Sequence, residues 1–152
     1  MIKIKPTPNA DTRSCDVSNV LKEDVLSSSK EHISHVGLAI SFFCSKLIKA
    51  AVEHDYDKLV DIDLFYADFK NNFNTTEWWD RHRTMHRHHL NYEDGVPDDV
   101  NLIDVLEYIS DCVMAGMARN GHVYDVNIEI ATLLRAFNNT VEMLKKEVVL
   151  GE

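Results

Sequence analysis

The sequence predicts an all-α fold, a single-domain helical bundle of five to six helices over residues 16–152. Apolar side chains recur at three- and four-residue intervals through most of the chain, which is the period of one helix face. No segment of useful length alternates apolar and polar residues as a half-buried strand does. A chain of 152 residues is also long enough to bury one core without disulfides or a structural metal.

The N-terminal part is predicted to hold an extended arm and two helices. Residues 1–15 contain prolines and lack periodicity, so we expect an arm that packs on the domain or on a partner. A short helix from residue 16 or 18 then reaches the serine run 27–29, which caps a second helix over about 29–53. The apolar surface of that second helix is broad, so we expect it to be central and mostly buried.

The remaining helices follow from the same periodicity. A helix over 61–72 precedes one that Thr75 or Thr76 caps and that continues into the histidine-rich segment. Residues 91–99 are predicted to be a loop. Two long helices, 99–119 and 124–147, complete the bundle, with Asn120-Gly121 ending the first of them. The apolar stripe of the 99–119 helix consists of Leu102, Leu106, Ile109, Val113 and Met117.

Composition excludes some classes of function. A formal charge of -9 argues against general nucleic-acid binding, which needs excess Lys and Arg. No uninterrupted apolar run approaches the length of a membrane span, and the N-terminus lacks the apolar core of a signal peptide. The three cysteines fit free thiols in a reducing compartment. We therefore expect a cytoplasmic protein without a membrane partner, and leave a homodimer open.

A histidine followed by an aspartate, His54-Asp55, is the motif that carries most chemistry, and Lys58 follows three residues later. Every other histidine except His122 lies within about fifty residues of this doublet. Histidine and carboxylate are common ligands of transition metals, and a lysine nearby can reach a phosphate. The pattern predicts a hydrolytic centre with one or two metal ions.

The second histidine cluster, His82, His86, His88 and His89, admits several interpretations. On a helix His82, His86 and His89 share one stripe while His88 points elsewhere. The cluster fits a second metal site, a phosphate-binding set of imidazolium groups, or a polar surface face paired with neighbouring charges. The adjacent Trp78 and Trp79 fit either a base-stacking surface or the core.

These residues resemble the signature of the HD superfamily of metal-dependent phosphohydrolases: a histidine on one helix, a His-Asp doublet on another, and a late aspartate. In this chain those are His35, His54-Asp55 and Asp111. The segment 88–97, which begins His88-His89, is similar to a motif of the branch that cleaves cyclic dinucleotides, where extra histidines hold a second metal. The run 78–116 also resembles small phage and bacterial proteins of the same plan.

The resemblance implies an HD-like helical domain and a set of metal ligands. Those ligands are His35, His54, Asp55, His88, His89 and Asp111. Asp55 and Lys58 would be the catalytic residues. The metal would be Mn²⁺, Fe²⁺ or Co²⁺, or Mg²⁺ if carboxylates dominate the ligand set. Within a straight helix His35 and His54 are about five turns apart and could not meet, so we expect the chain to turn near Glu53 to Lys58 or a neighbouring helix to bring the ligands together.

The expected substrate is a nucleotide or another small phosphorylated compound. Lys58, Arg83, Arg87 and Arg119 are the candidates to bind its phosphate, because a guanidinium fork matches phosphate geometry. The location would be the host cytoplasm if a phage encodes the chain. Two alternatives stay open: a non-catalytic nucleotide- or protein-binding module on an HD-like scaffold, and an all-α domain whose histidines are surface residues.

Overall fold

Six helices and two short strands form the described part of the computed structural model, residues 1–4, 18–74, 77–92 and 95–151. The prediction of an all-α fold is confirmed. The helices are α1 Lys22–Glu53, α2 Asp57–Val60, α3 Ile62–Lys70, α4 Glu77–Met85, α5 Leu102–Asn120 and α6 Ile130–Glu147, and the strands are β1 Ile2–Ile4 and β2 Val148–Leu150.

The chain divides into two compact units. The first contains Met1–Ser45 and Val141–Glu152, and the second contains Lys46–Thr140. In the first unit β1 pairs with β2 in parallel, and Gly151 extends the pairing by donating its amide to the Ile4 carbonyl at 2.8 Å. Residues 2–4 of the predicted arm therefore form a strand, and residues 5–15 lie outside the described residues.

The core of the second unit forms where α5 and α6 meet the segment that precedes α5. Val100 and Ala136 are completely buried, and Leu90, Val105 and Tyr108 complete the cluster. The expected stripe of α5 is partly wrong, because Leu106, Ile109 and Met117 are 46%, 41% and 50% exposed. This helix is apolar on more than one face, and periodicity alone does not choose the face that packs.

Three predicted helix boundaries are wrong. Helix α1 passes through serines 27–29 without a break, because serine costs a helix only about half a kcal/mol and the apolar spacing continues on both sides. Helix α4 ends at Met85, before the last histidines. Helix α6 begins only at Ile130, because the preceding residues pack on the core: the Tyr108 hydroxyl donates to the Asn127 carbonyl at 3.0 Å. The predicted threonine cap lies outside the described residues.

Helix α1 is more exposed than the sequence predicts. Ser28 is its one buried residue, whereas a mostly buried central helix was expected. A window within Lys22–Val60 is long and apolar enough to cross a membrane by length and composition alone, with a mean hydropathy of 1.4, and none of it is buried. A core helix that another chain covers has the same composition. The expected cytoplasmic location therefore stays a prediction.

Both ends of α5 are fixed by local chemistry. The Asn101 side chain accepts from the Ile103 amide at 2.9 Å, and the Asp104 carboxylate accepts from the Asn101 amide at 2.9 Å, which is a capping box. At the other end Gly121 adopts a φ of 70°, where a residue without Cβ has little strain. The predicted end of the helix at Asn120-Gly121 is confirmed. Because both ends are fixed, the acidic residues of α5 have defined positions along the helix axis.

Replacing Gly116 by Ala should destabilise the second unit. A Cβ there would lie 2.6 Å from the Tyr124 nitrogen and 2.7 Å from the His122 oxygen, both of which are backbone atoms. We expect the free energy of unfolding, measured with denaturant, to fall by about 1–3 kcal/mol. Gly37→Ala is the matched control, since its Cβ would meet nothing within 4 Å and should raise helix stability. Equal effects of the two substitutions would contradict this packing.

Candidate metal centre

The turn after α1 presents the His54-Asp55 doublet. Asp55 adopts a φ of 52°, a left-handed conformation that aspartate tolerates better than most residues and that ends the helix. The Lys58 amide then donates to the Asp55 carbonyl at 3.0 Å, and the Lys58 ammonium bonds the Asp55 carboxylate. The doublet therefore lies at a helix end, with the Lys58 ammonium bound to Asp55 beside it.

The second histidine cluster comes from the last turn of α4 and the turn that follows. His82 lies in α4, and the His86 amide donates to the His82 carbonyl at 2.9 Å before the chain leaves helical geometry. Gly95 lies so close to this turn that a Cβ there would be 2.7 Å from the His89 carbonyl oxygen. The segment that carries these histidines is thus held by a helical hydrogen bond at its start and by the close approach of Gly95 at His89.

Three histidines converge on the Asp55 carboxylate. Its Oδ1 lies 3.4 Å from His82 Nε2 and 3.5 Å from His88 Nε2, and its Oδ2 lies 3.5 Å from His54 Nε2. The side chains form two groups whose donor atoms all lie within 4.8 Å of one another: His54, Asp55 and His88, and Asp55, His82 and His86. Asp55 belongs to both groups, so its carboxylate is the candidate ligand that the two groups share.

Two more carboxylates hold the far sides of these imidazoles. Asp57 is completely buried and lies 2.9 Å from His82 Nδ1 and 2.8 Å from His86 Nε2. Glu107 of α5 lies 2.9 Å from His54 Nδ1 and also 2.9 Å from His88 Nδ1, the second contact without hydrogen-bond geometry. A carboxylate behind an imidazole fixes its orientation and tautomer, so the opposite nitrogen of His54 and of His82 can serve as a lone-pair donor.

The inner atoms of the cluster have no hydrogen-bond partner among the described residues. Asp55 Oδ1, His82 Nε2 and His88 Nε2 are buried and accept or donate no hydrogen bond there. Burying such atoms unsatisfied costs about 1–3 kcal/mol each. A cation at the convergence point would satisfy all three at once. The residues present therefore fit one or two divalent ions.

The electrostatics favour ionised carboxylates around this point. Burial opposes ionisation of Glu107, but the hydrogen bond from His54 and the proximity of His88 lower its pKa to about 2. Burial also opposes ionisation of Asp55, yet the bond and charge of Lys58 and the neighbouring histidines keep its pKa below the usual value. The hydrogen bond to Glu107 and the surrounding carboxylates raise the pKa of His54. The cluster thus holds negative charge that a metal ion would neutralise.

An aromatic wall separates the centre from solvent on the α4 side. The ring of buried Trp78 stacks on His82 with centroids 4.5 Å apart, and the ring of Phe65 lies 4.5 Å from that of Trp78. His89 packs at 4.3 Å from His88 and is kept neutral: burial, with the charges of His88 and His82, lowers its pKa to about 3. His89 lies in neither ligand group formed by the described residues, and its buried Nε2 has no hydrogen-bond partner among them.

Asp111 and His35, the outer members of the expected ligand set, differ in position. Asp111 Oδ1 lies 4.0 Å from His54 Nε2, so it stands beside the first ligand group. His35 lies in the first unit, in neither group of the described residues. Helix α1 continues unbroken to Glu53, and the turn predicted near Glu53 to Lys58 follows it at residues 54–56.

The expected phosphate-binding residues also fall in different places. Lys58 is at the centre, bonded to Asp55. The Arg87 guanidinium grips Asp104 through two bonds of 2.9 Å and also contacts Asp99, which raises its pKa above the usual value. Arg83 pairs with Asp80 and lies over the Tyr92 ring. Arg119 is exposed in the last turn of α5.

Sequence reasoning missed the two carboxylates behind the imidazoles and ranked His82 and His86 below His88 and His89. A signal for Glu107 existed: Asp104, Glu107 and Asp111 follow i, i+3, i+7 and therefore share one face of α5. No comparable signal marked Asp57, because one more acid beside the doublet is indistinguishable from a solvated side chain.

No family model, curated protein or solved structure matches this chain. The candidate metal centre therefore stands on its own geometry, and the likeness to HD phosphohydrolases stays an expectation from the sequence.

Proposed function

We propose that this chain is a metal-dependent phosphohydrolase whose centre takes two divalent ions bridged by Asp55. The observation that carries the proposal is the sharing of Asp55 by two ligand groups, His54 with His88 and His82 with His86. The imidazole-rich donor set favours Mn²⁺, Fe²⁺ or Co²⁺ over Mg²⁺. An isolated surface cluster would not need carboxylates behind its histidines, and here buried Asp57 and half-buried Glu107 stand in those positions.

The protein side chains have distinct roles in this proposal. Asp57 and Glu107 orient the imidazoles, and Lys58 places a positive charge beside Asp55, where it favours an anionic substrate. Ions bound here would lower the pKa of a coordinated water and stabilise charge on phosphoryl oxygens. In the overall reaction a P–O bond forms to water, the P–O bond to the alcohol breaks, and the alcohol leaves with a proton from the water.

The HD-like interpretation is part of the same proposal. It is supported by the position of His54-Asp55 at a helix end and by Asp111 beside His54 at 4.0 Å. Its departure is equally specific: His35 lies in neither ligand group of the described residues, whereas His82, His86 and His88 each belong to one of them. The substrate class, a small phosphate ester, follows from this interpretation and from Lys58.

Phosphate release from a panel of phosphate esters tests the proposal. Protein loaded with Mn²⁺ should release phosphate from at least one ester, and a chelator should stop the release until metal is returned. His88→Gln removes a ligand and should lower the rate, while His122→Gln is the matched control, because exposed His122 contacts the Asn120 carbonyl outside the cluster. A metal-loaded protein inactive on every ester would overturn the hydrolase.

A second candidate is a non-catalytic binding module in which the metals only hold the fold. The exposed apolar side chains of α1, among them Ile33, Ile48 and Val52, favour it, because a partner would cover them. This candidate shares the metal uptake and lacks the phosphate release. The same assay therefore separates the two.

A further inference from the structure

An apolar cavity of about 320 Å³ opens beside the metal centre. Its walls come from α1 and α5, with Leu47 and Ala51 on one side and Leu106 and Met114 on the other. His54 and Asp111 lie at its polar end, and they belong to or adjoin the first ligand group. All of these residues lie in the second unit. A molecule with its reactive group at His54 would thus place its remaining atoms against aliphatic side chains.

The cavity offers few polar groups to a heteroatom-rich ligand. The Ser110 hydroxyl on its wall donates to the Leu106 carbonyl at 2.8 Å, so its hydrogen is used within α5. The Glu107 carboxylate is engaged by His54 and His88. A nucleobase here would meet few protein partners for its ring nitrogens and exocyclic groups, whereas an alkyl or aryl group needs none.

We infer that the cavity binds the apolar group of the substrate, which is the phosphate monoester of an alkyl or aryl alcohol rather than a nucleotide. The volume lies near the lower limit of pockets that bury small ligands and suits a short chain or one ring. This inference rests on the proposed function for the reaction itself. Water supplies the oxygen of the new P–O bond. The P–O bond to the apolar alcohol breaks, and that alcohol leaves with a proton from the water.

Calorimetric binding of alkylphosphonates to the Mn²⁺-loaded protein tests the cavity without requiring turnover. Affinity should rise about two- to fourfold for each CH₂ from methylphosphonate to pentylphosphonate, fourfold being the limit of full burial. Ala51→Phe fills the cavity and should abolish this rise while leaving the affinity for methylphosphonate unchanged. Ala118→Phe, at an exposed position on α5 outside the cavity lining, is the matched control and should keep the rise.

The outcomes separate the cavity from the hydrolase. Affinity that does not depend on chain length, or a rise that persists in Ala51→Phe, overturns the cavity. A normal rise with no hydrolysis of pentyl phosphate keeps the cavity and refutes the hydrolase. If the protein takes up no metal, the hydrolase fails, and pentanol binding to wild type and Ala51→Phe then decides the cavity: loss on substitution supports it, and equal binding overturns it.

Discussion

Substituting Asp55 by Asn should lower the metal content of the purified protein from about two ions per chain to fewer than one, since both ligand groups use this carboxylate. Asn tolerates the left-handed φ of 52° at this position, so the change removes the charge without straining the turn. The rate of phosphate release should fall by more than the roughly 10–100-fold typical of a residue that only orients a ligand. Elemental analysis and the hydrolysis assay measure the two effects.

Asp63→Asn provides the control for this experiment. Asp63 is an exposed acid in the first turn of α3, and its loss changes the net charge of the protein by the same amount. Metal content and rate should stay at the wild-type values. An Asp55→Asn protein that retains two ions and full activity would show that Asp55 is not a ligand shared by two metal sites.

Replacing Asp57 by Asn should destabilise the metal-free protein by about 3 kcal/mol, since hydrogen bonds to a buried charged group contribute roughly 1.5–3 kcal/mol each. Asp57 is completely buried and contacts both His82 Nδ1 and His86 Nε2. The corresponding fall in Tm is roughly 6–12 °C for a domain of this size. The uncharged amide oxygen is also a weaker acceptor for the two imidazoles than the carboxylate, so metal affinity should fall roughly 10–100-fold.

The matched comparison is Asp61→Asn, which removes an exposed carboxylate paired with Arg81. A surface pair of this kind contributes about 0–1 kcal/mol, so the Tm should change little. Thermal unfolding followed by circular dichroism gives both values. Equal Tm values for the two variants would mean that Asp57 does not support the imidazoles.

Local sequence signals predicted the helical architecture well. The stop at Asn120-Gly121 and the apolar periodicity of three and four residues each act within a few residues, so the sequence shows them directly. The start of α6 could not be predicted in this way. The hydrogen bond from Tyr108 to the Asn127 carbonyl and the packing of Val126 and Ile128 on the core override a helical pattern there. Tertiary contacts of that kind have no local signature.

The side of each helix that becomes buried was also hidden from sequence reasoning. Amphipathicity shows that α1 and α5 have apolar faces, but the faces of α1 and the Leu106 side of α5 stay largely exposed. The cavity next to His54 exists because these faces do not close over one another. Periodicity predicts that a face is apolar and does not predict which surface meets it.

The candidate site was predictable at its most distinctive motif and less so around it. The His54-Asp55 doublet and His88 were expected ligands because they resemble the HD signature, and the three residues form one of the ligand groups. Choosing His82 and His86 as ligands required knowing how α4 and the turn after it direct their side chains. Choosing Glu107 and Asp57 required knowing which imidazole each of them contacts in three dimensions. His35 belonged to the expected motif, but it lies in neither ligand group formed by the described residues.

Elemental analysis of the wild-type protein, after incubation with Mn²⁺ and removal of unbound metal, tests the central claim most directly. The shared Asp55 and the two ligand groups predict about two ions per chain, removed by a chelator and accompanied by a lower Tm on removal. At a free metal concentration one hundred times the dissociation constant, each site should add about 2.7 kcal/mol of stability. A protein that retains no metal and shows the same Tm with and without Mn²⁺ would contradict the account.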